Sequence, residues 1–200
     1  MTNHYFSQSP NSESHPIYWE YQLRNRNFRF KTDTGVFSKK EVDFGSRLLV
    51  ETFELPEVEG PLLDAGCGYG PIGLSIAAEF TDRVVHMIDV NQRALSLAKD
   101  NAELNHIKNV EIYESDRLTN VVEDGFSAVL TNPPIRAGKN VVFDILRQSY
   151  EKLTLGGQLW VVIQKKQGAP SALKEMEALF GEAAVIQKSK GYFIIRGEKS

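Results

Sequence analysis

From residue 62 onward, short apolar runs alternate with helical stripes. Leu62 and Leu63 form a short buried strand, and Ile72, Leu74, Ile76 and Ala77 behind Pro71 supply a helix after it. Residues 83–89, apolar and β-branched until Asp89, make a second strand, and Asn91 caps a helix carrying Ala94, Leu95, Leu97, Ala98, Ala102 and Leu104. Strands follow at residues 110–113 and 127–130. Val141, Val142, Ile145, Leu146, Tyr150 and Leu153 then suit a helix ending before Gly156-Gly157. A fifth strand covers residues 158–164, Pro170 opens a helix through Phe180, and residues 184–187 and 192–196 close the pattern as two strands around Gly191. Strands alternating with helices predict an α/β fold: a seven-stranded, mostly parallel sheet with an antiparallel edge strand and helices on both faces.

Two hundred residues with 42% hydrophobic content suit one domain with a sizeable core. The expected division is a mobile polar tail over residues 1–15 and a single domain over 16–200, with 16–60 as an N-terminal extension over the site. The lone Cys67 excludes an internal disulfide, and no apolar run approaches the roughly 20 residues of a membrane helix. The first residues lack an apolar signal core, so the expectation is a cytoplasmic protein, monomer or homodimer, with no membrane and no metal. The overall charge of −3 hides an uneven spread: net +2 over residues 1–47, −10 over 48–131 and +5 over 132–200. Arg24, Arg26, Arg29 and Lys31 interleave with Phe28 and Phe30, and Arg136 and Lys139 sit further on in the basic C-terminal part. Clustered cations with aromatics suit a polyanion such as RNA; a solvated, alternating edge strand reads the same way for residues 24–31.

Two motifs carry chemistry. In the first, Asp64 ends a strand and Gly66, Gly68 and Gly70 follow at alternate positions, with Ala65, Cys67 and Tyr69 between them. Glycine there permits positive φ and close approach of a ligand. The formal GxGxxG match starts at Gly68, two residues late for the dinucleotide fingerprint, and in the proper frame the sixth position is Pro71. Asp64 would repel a pyrophosphate and attract an ammonium, which favours a sulfonium cofactor, S-adenosyl-L-methionine, over NAD. Asp89 stands where a carboxylate accepts ribose hydroxyls, with Val90 beside it, and Asp116, with Arg117 beside it, where one accepts from an adenine amino group. The second motif is Asn132-Pro133-Pro134-Ile135. Its prolines cannot donate in a sheet, which leaves the Asn132 side-chain oxygen and the Pro133 carbonyl as paired acceptors suited to an exocyclic amino group.

On these residues, with Gly35-Val36-Phe37-Ser38 and Asp43-Phe44-Gly45-Ser46, the chain resembles class I S-adenosylmethionine-dependent methyltransferases over roughly residues 17–197. Within them it is similar to the small-domain group of bacterial 16S ribosomal-RNA guanine-N2 methyltransferases. The resemblance implies a Rossmann-like fold and a ribosomal RNA or small ribosomal subunit partner. It also implies a cofactor site of Asp64, Gly66, Gly68, Gly70, Asp89 and Asp116 covered by Phe37, and a methyl-acceptor corner at Asn132 and Pro133. Many such enzymes place an aromatic after the second proline where this chain has Ile135, and Phe37 or Arg136 are the candidates to stack on the base instead. A glutamine side-chain amide or an adenine amino group would suit the same corner, and a non-catalytic cofactor- or RNA-binding scaffold is the remaining alternative.

Overall fold

A computed structural model describes residues 15–33 and 41–200. Gly35-Val36-Phe37-Ser38, and with it the expected cover over the pocket, lies outside the described residues. The chain opens with an antiparallel hairpin, β1 (Ile17–Leu23) and β2 (Arg26–Thr32), separate from the main sheet. Its two turn residues, Arg24 and Asn25, both take positive φ (46° and 59°), the backbone that a two-residue hairpin with right-handed strand twist requires. Residues 24–31 are therefore a turn and an alternating strand of a two-stranded hairpin outside the main sheet. Helix α1 (Phe44–Thr52) follows, capped by Asp43.

The main sheet is built from β3 (Leu62–Ala65), β4 (Val85–Asp89), β5 (Val110–Glu114), β6 (Phe126–Thr131), β7 (Leu153–Gln164), β8 (Ala183–Ser189) and β9 (Tyr192–Glu198). Their order is β5-β4-β3-β6-β7-β9-β8. The first five pair parallel; β9 runs antiparallel to β7, and β8 pairs antiparallel with β9 at the edge. The sheet is thus seven-stranded and mostly parallel with an antiparallel edge, as expected. Helices α2 (Pro71–Glu79), α3 (Gln92–Leu104), α4 (Lys139–Lys152) and α5 (Ala169–Phe180) join the strands.

Alternate residues of the central strands point to opposite faces, and both faces are buried, which is why these strands read as unbroken apolar runs. Leu62, Leu130, Trp160 and Val162 share one core with α1, α2, α3 and the hairpin. Leu63, Val129, Val161 and Ile163 share the other with α4 and α5. One boundary differs from expectation. Strand β7 begins at Leu153 and runs through Gly156 and Gly157, which were expected to precede it. A Cβ at Gly157 would lie 2.8 Å from the Phe126 carbonyl, so glycine here lets β6 approach closely at a register shift between Phe126 and Ala128. No helix among the described residues is long and apolar enough to cross a membrane.

After β3 the chain winds outward through β4 and β5, then returns across the sheet to β6 and β7. The order reverses between β3 and β6, and in open α/β sheets the crevice beyond the carboxyl ends of the strands at that point takes the ligand. Ala65, last in β3, pairs with Thr131, last in β6, and the Thr131 hydroxyl donates to the Ala65 carbonyl at 2.8 Å. The glycine loop and the Asn132 corner leave the sheet from these two residues. Both sequence motifs therefore flank one crevice.

Candidate functional site at the switch point of the sheet

The glycine loop is held by its own backbone. The N–H groups of Gly66 and Cys67 both donate to the Ile88 carbonyl at 2.9 Å, and Gly70 donates to Cys67 at 3.0 Å. Gly66 has φ 82°, and a Cβ built there would meet nothing within 4 Å. Glycine is required for the backbone conformation, and the space beside it is open to a ligand. Tyr69 faces away from that space and packs against Phe30 of the hairpin at 5.6 Å between centroids.

Asp64 is buried in this loop. Its Oδ2 accepts from Gly73 N–H at 2.8 Å. Gly73 is the third residue of α2, whose cap, Gly70, has no side chain to offer, so Asp64 caps the helix from the preceding strand. A Cβ at Gly73 would lie 2.7 Å from Met87 Cγ, 2.8 Å from its sulfur and 3.0 Å from that oxygen, which together explain the glycine. Asp64 Oδ1 is buried and has no partner among the described residues. Burial, opposed by the Gly73 bond and reinforced by the charge of Asp89, pushes the Asp64 carboxyl up to about 7. An anion at this helix terminus would face a carboxylate already in place; a positively charged N–H donor would complete it.

Asp89, last in β4, ties two turns together. Its Oδ2 accepts from Gly68 N–H at 2.9 Å and its Oδ1 from Asn91 N–H at 2.8 Å. Burial raises its pKa, against the N–H bonds from Asn91, Gly68 and Val90. Of the roughly four lone-pair sites of a carboxylate, these three bonds leave one for another donor. Cys67, between the two acids, is buried and its thiol is pushed well up, first by burial and then by the charges of Asp89 and Asp64. It is a neutral thiol at 3.5 Å from the Gly68 carbonyl.

Asp116 follows β5, beside the end of β4, where Ser115 N–H donates to the Asp89 carbonyl. Its carboxylate is paired with Arg117 at 2.8 Å, and Arg117 also holds Asp144 of α4 at 2.8 Å. The Asp116 side chain is 63% exposed, so lone pairs remain for a further donor.

At the corner, Asn132 Nδ2 donates to Asp43 Oδ1 at 3.3 Å and to Ser46 Oγ at 3.1 Å. An ionised carboxylate only accepts, so the amide must turn its NH2 toward Asp43 and its oxygen away. Asp43 is itself fixed as the cap of α1, accepting from Gly45 and Ser46 N–H at 3.0 and 3.2 Å. Among the described residues, no hydrogen bond reaches Asn132 Oδ1 or the Pro133 carbonyl. The Pro134 carbonyl accepts from Ala137 in a short 3-10 turn, Ile135–Ala137, that carries the chain into α4. Ile135 turns toward the α4–α5 core and lines an apolar crevice of about 130 Å³ with Val142, Phe143 and Ile163. Arg136 and Lys139 are exposed.

The structure brings residues 64–70, Asp89, Val90, Asp116, Arg117 and 132–135 together at the carboxyl ends of adjacent strands. It does not bring Arg24, Arg26 and Arg29 there. Arg24 pairs with Glu79 and donates to the carbonyls of Val50 and Phe53 at 2.6 and 2.9 Å. Arg26 donates to the carbonyls of Ala78 and Asn105 at 3.4 and 3.3 Å. Arg24 thus caps the C-terminal end of α1 and pairs with the last residue of α2, and Arg26 caps the C-terminal ends of α2 and α3, whose N-terminal ends lie at the glycine loop and at Asp89. For nine-residue α2 that is a separation of ~13 Å. Arg29 lies over the Tyr18 ring at 5.3 Å on the outside of the hairpin. Arg24, Arg26 and Arg29 therefore form no single basic surface with Arg136 and Lys139.

Sequence reasoning missed three supports. The first is the hold of Asp43 and Ser46 on Asn132. The second is the Arg117 bridge to Asp144. The third is Asn101, fully buried in α3, which donates to the carbonyls of Tyr69 (2.9 Å) and Lys31 (3.0 Å) and accepts from Lys31 N–H (2.6 Å). Four residues on, Asn105 makes the same pair of bonds to the Arg29 backbone. The available signal was two asparagines at helical spacing on an otherwise apolar face.

The chain is 58% identical to the uncharacterized protein YbxB of Bacillus subtilis (strain 168), over the full length of both. It is 30% identical over 195 residues to ribosomal RNA small subunit methyltransferase C of Actinobacillus pleuropneumoniae serotype 3, covering 94% of this chain and 57% of that one. The fold matches T. thermophilus 16S rRNA N2 G1207 methyltransferase, solved with AdoMet and guanosine, at a TM-score of 0.82 and 23% identity, over 96% of this chain and 52% of that one. The chain thus spans little more than half the length of the named methyltransferases it matches. The family model of the methyltransferase small domain covers residues 27–196, from β2 into β9, and on that match the chain belongs to this family.

Proposed function

We propose that this chain methylates an exocyclic amino nitrogen with S-adenosyl-L-methionine, and that the acceptor is guanine N2 of small-subunit ribosomal RNA. One observation carries the reading. Among the described residues, Asn132 Oδ1 and the Pro133 carbonyl are two neighbouring acceptors with no donor, and the orientation of the first is fixed by Asp43 and Ser46. An amino group has two hydrogens to place there. Membership of the family supports the methyl transfer, and the chain's likeness to ribosomal RNA methyltransferases supports ribosomal RNA as the substrate.

The cofactor suits residues already described. The partnerless Asp64 Oδ1 beside the open space at Gly66 is what an ammonium would satisfy. Asp89 accepts from the ribose with its remaining lone pair, Asp116 accepts from the adenine amino group, and Val90 and Arg117 flank them. When bound, S-adenosylmethionine supplies an electrophilic methyl group on a sulfonium sulfur. The protein supplies position and charge. Guanine N2 is a weak nucleophile because its lone pair is conjugated with the ring. Asn132 Oδ1 and Pro133 O each take one of its hydrogens, favour the pyramidal nitrogen, and aim the freed lone pair at the methyl group. They also stabilise the positive charge that grows on nitrogen as the new N–C bond forms and the methyl–sulfur bond breaks, its electron pair staying on sulfur and S-adenosylhomocysteine leaving. The extra proton leaves to water. No dedicated base is needed. Arg136 and Lys139, exposed beside the corner, contact the RNA backbone.

The test is radiolabelled methyl transfer to stripped RNA, isolated small subunits and a protein extract in parallel, with the labelled nucleoside identified by mass spectrometry. N2-methylguanosine is the expected product. Label confined to protein, or recovered as methyladenosine, would replace the acceptor and keep the corner chemistry. No transfer from the cofactor to any of the three would remove the enzymatic reading.

A further inference from the structure

A base that reaches the Asn132 corner has left its stack, and the unpaired nucleotides next to it need a surface to rest on. Ile135 does not provide one, since it packs into the α4–α5 core. An aromatic pair, half-buried against the other core, lies on the other side of the corner and offers the π-faces that an aliphatic Ile135 lacks. Asp43, which holds the Asn132 amide, is followed directly by Phe44, whose ring meets Tyr192 at 5.5 Å between centroids and 48° between planes. Gly45 permits this contact, because a Cβ there would lie 2.8 Å from the Tyr192 ring. Tyr192 opens β9 opposite Gln164, three residues beyond Val161, which pairs with Thr131 just before the corner. The aromatic pair and the acceptor corner therefore share the carboxyl end of the sheet.

The pair is flanked by cations. Lys190 Nζ sits 4.8 Å from the Phe44 centroid and Arg47 Cζ 5.2 Å from it. Neither makes an ion pair among the described residues; the hydrogen bond of Arg47 goes to the Tyr21 hydroxyl at 3.5 Å. Lys165 and Lys166, both exposed, follow Gln164 directly, and Lys165 N–H donates to the Gly191 carbonyl at 2.8 Å. This is the cationic surface beside the corner that residues 24–31 do not supply.

We propose that Phe44 and Tyr192, flanked by Arg47 and Lys190, form a stacking platform for an unpaired nucleotide adjacent to the target base; this rests on the RNA substrate proposed above. Rings supply a sequence-tolerant surface, and the cations neutralise the phosphates on either side. An exposed cation–π contact is weaker than base–aromatic stacking, so an entering base displaces the Lys190 ammonium from Phe44 and leaves it free for a phosphate.

Anisotropy with a short fluorescent single-stranded RNA, titrated at several salt concentrations, separates the two contributions. Phe44→Leu keeps an apolar side chain but no π-face, and it should weaken RNA binding on the order of tenfold without changing the salt slope. Tyr192→Leu should do the same if Phe44→Leu proves poorly folded, and S-adenosylhomocysteine binding serves as the fold control for every variant. Lys190→Gln should lower the log–log salt slope by about 0.7, the share of one phosphate contact on a single strand. RNA affinity within twofold of the parent in both aromatic variants would overturn the platform while leaving RNA methylation intact. A parent protein that neither binds nor methylates RNA would overturn the substrate proposal itself, and the platform with it.

Discussion

Asp64 makes cofactor affinity depend on pH in a calculable way. Its carboxyl is raised to about 7, mainly by burial. Between about pH 4 and 7 the ligand-free folded protein therefore holds a proton that an unfolded aspartate has lost. The folded state binds more protons than the unfolded one in that window, so this group makes ligand-free stability fall as pH rises through it and level off above 7. Binding of an ammonium requires the ionised carboxylate, so below pH 7 the ligand must expel that proton. For one group with a pKa of about 7, the dissociation constant should tighten about 25-fold between pH 5.5 and 7.5, or about 2 kcal/mol. S-adenosylhomocysteine keeps its amino group protonated over this range, because the amino group of a free amino acid, beside its own carboxylate, is more basic than the roughly 7.7–8.0 of a chain terminus.

Calorimetric titration with S-adenosylhomocysteine in two buffers of different ionisation enthalpy reads both quantities. Proton release should approach one per ligand at pH 5.5 and fall away above 7. Asp89 is raised as well, so some slope can belong to it. The Asp64→Asn variant isolates the difference: it should lose the slope due to Asp64 and bind more weakly at pH 7.5 by about 1–3 kcal/mol, the scale of one hydrogen bond to a charged group. A dissociation constant that is flat across this range in the parent, or an identical slope in Asp64→Asn, would refute the reasoning. Saturable NAD binding would do so by another route, since a pyrophosphate has no place beside this carboxylate.

Three further outcomes follow from the geometry. Asn132→Ala should leave S-adenosylhomocysteine affinity nearly unchanged while lowering methyl transfer by about a hundredfold or more, the scale for losing one group that stabilises developing charge; parallel loss of both would make the corner structural. Asn101→Ala should lower unfolding free energy in urea by about 2–4 kcal/mol, because three buried hydrogen bonds to backbone go at once. Arg24→Ala should cost about 1–3 kcal/mol of stability through the uncapped Val50 and Phe53 carbonyls, yet leave the salt dependence of RNA binding untouched.

How far the sequence could be read depended on whether a residue acts near its own position. The strand ends at Asp64, Asp89 and Thr131 were legible because apolar runs mark central strands, and a parallel sheet puts their carboxyl ends together. The sign of Asp64 was legible because a charge at a strand end needs no partner to repel a phosphate. The arginines of the hairpin were misplaced because alternation reports which face a side chain takes, not what lies across from it. The partners of Arg24 are 26 to 55 positions away. Asn101 and Asn105 were passed over because their partners are backbone atoms of β2 and of the glycine loop, and backbone leaves no mark in a sequence. Gly156-Gly157 read as a stop because glycine ends many elements; here it admits a close neighbouring strand, which only the register shows.

The corner itself shows the same division at the scale of one side chain. An asparagine amide presents an acceptor at one end and two donors at the other, and the motif does not say which end meets the substrate. If the NH2 faced the amino group, the site would repel it. The choice is made 89 positions earlier by Asp43, which as an ionised carboxylate can only accept. Asp43 can make that choice because its own orientation is settled by two N–H bonds at the start of α1. Helix capping, amide orientation and the polarity of the acceptor site are therefore one linked arrangement. A substitution that spares the cap but supplies a donor, Asp43→Asn, removes the reason for the amide to face one way. Its effect should appear in turnover more than in stability.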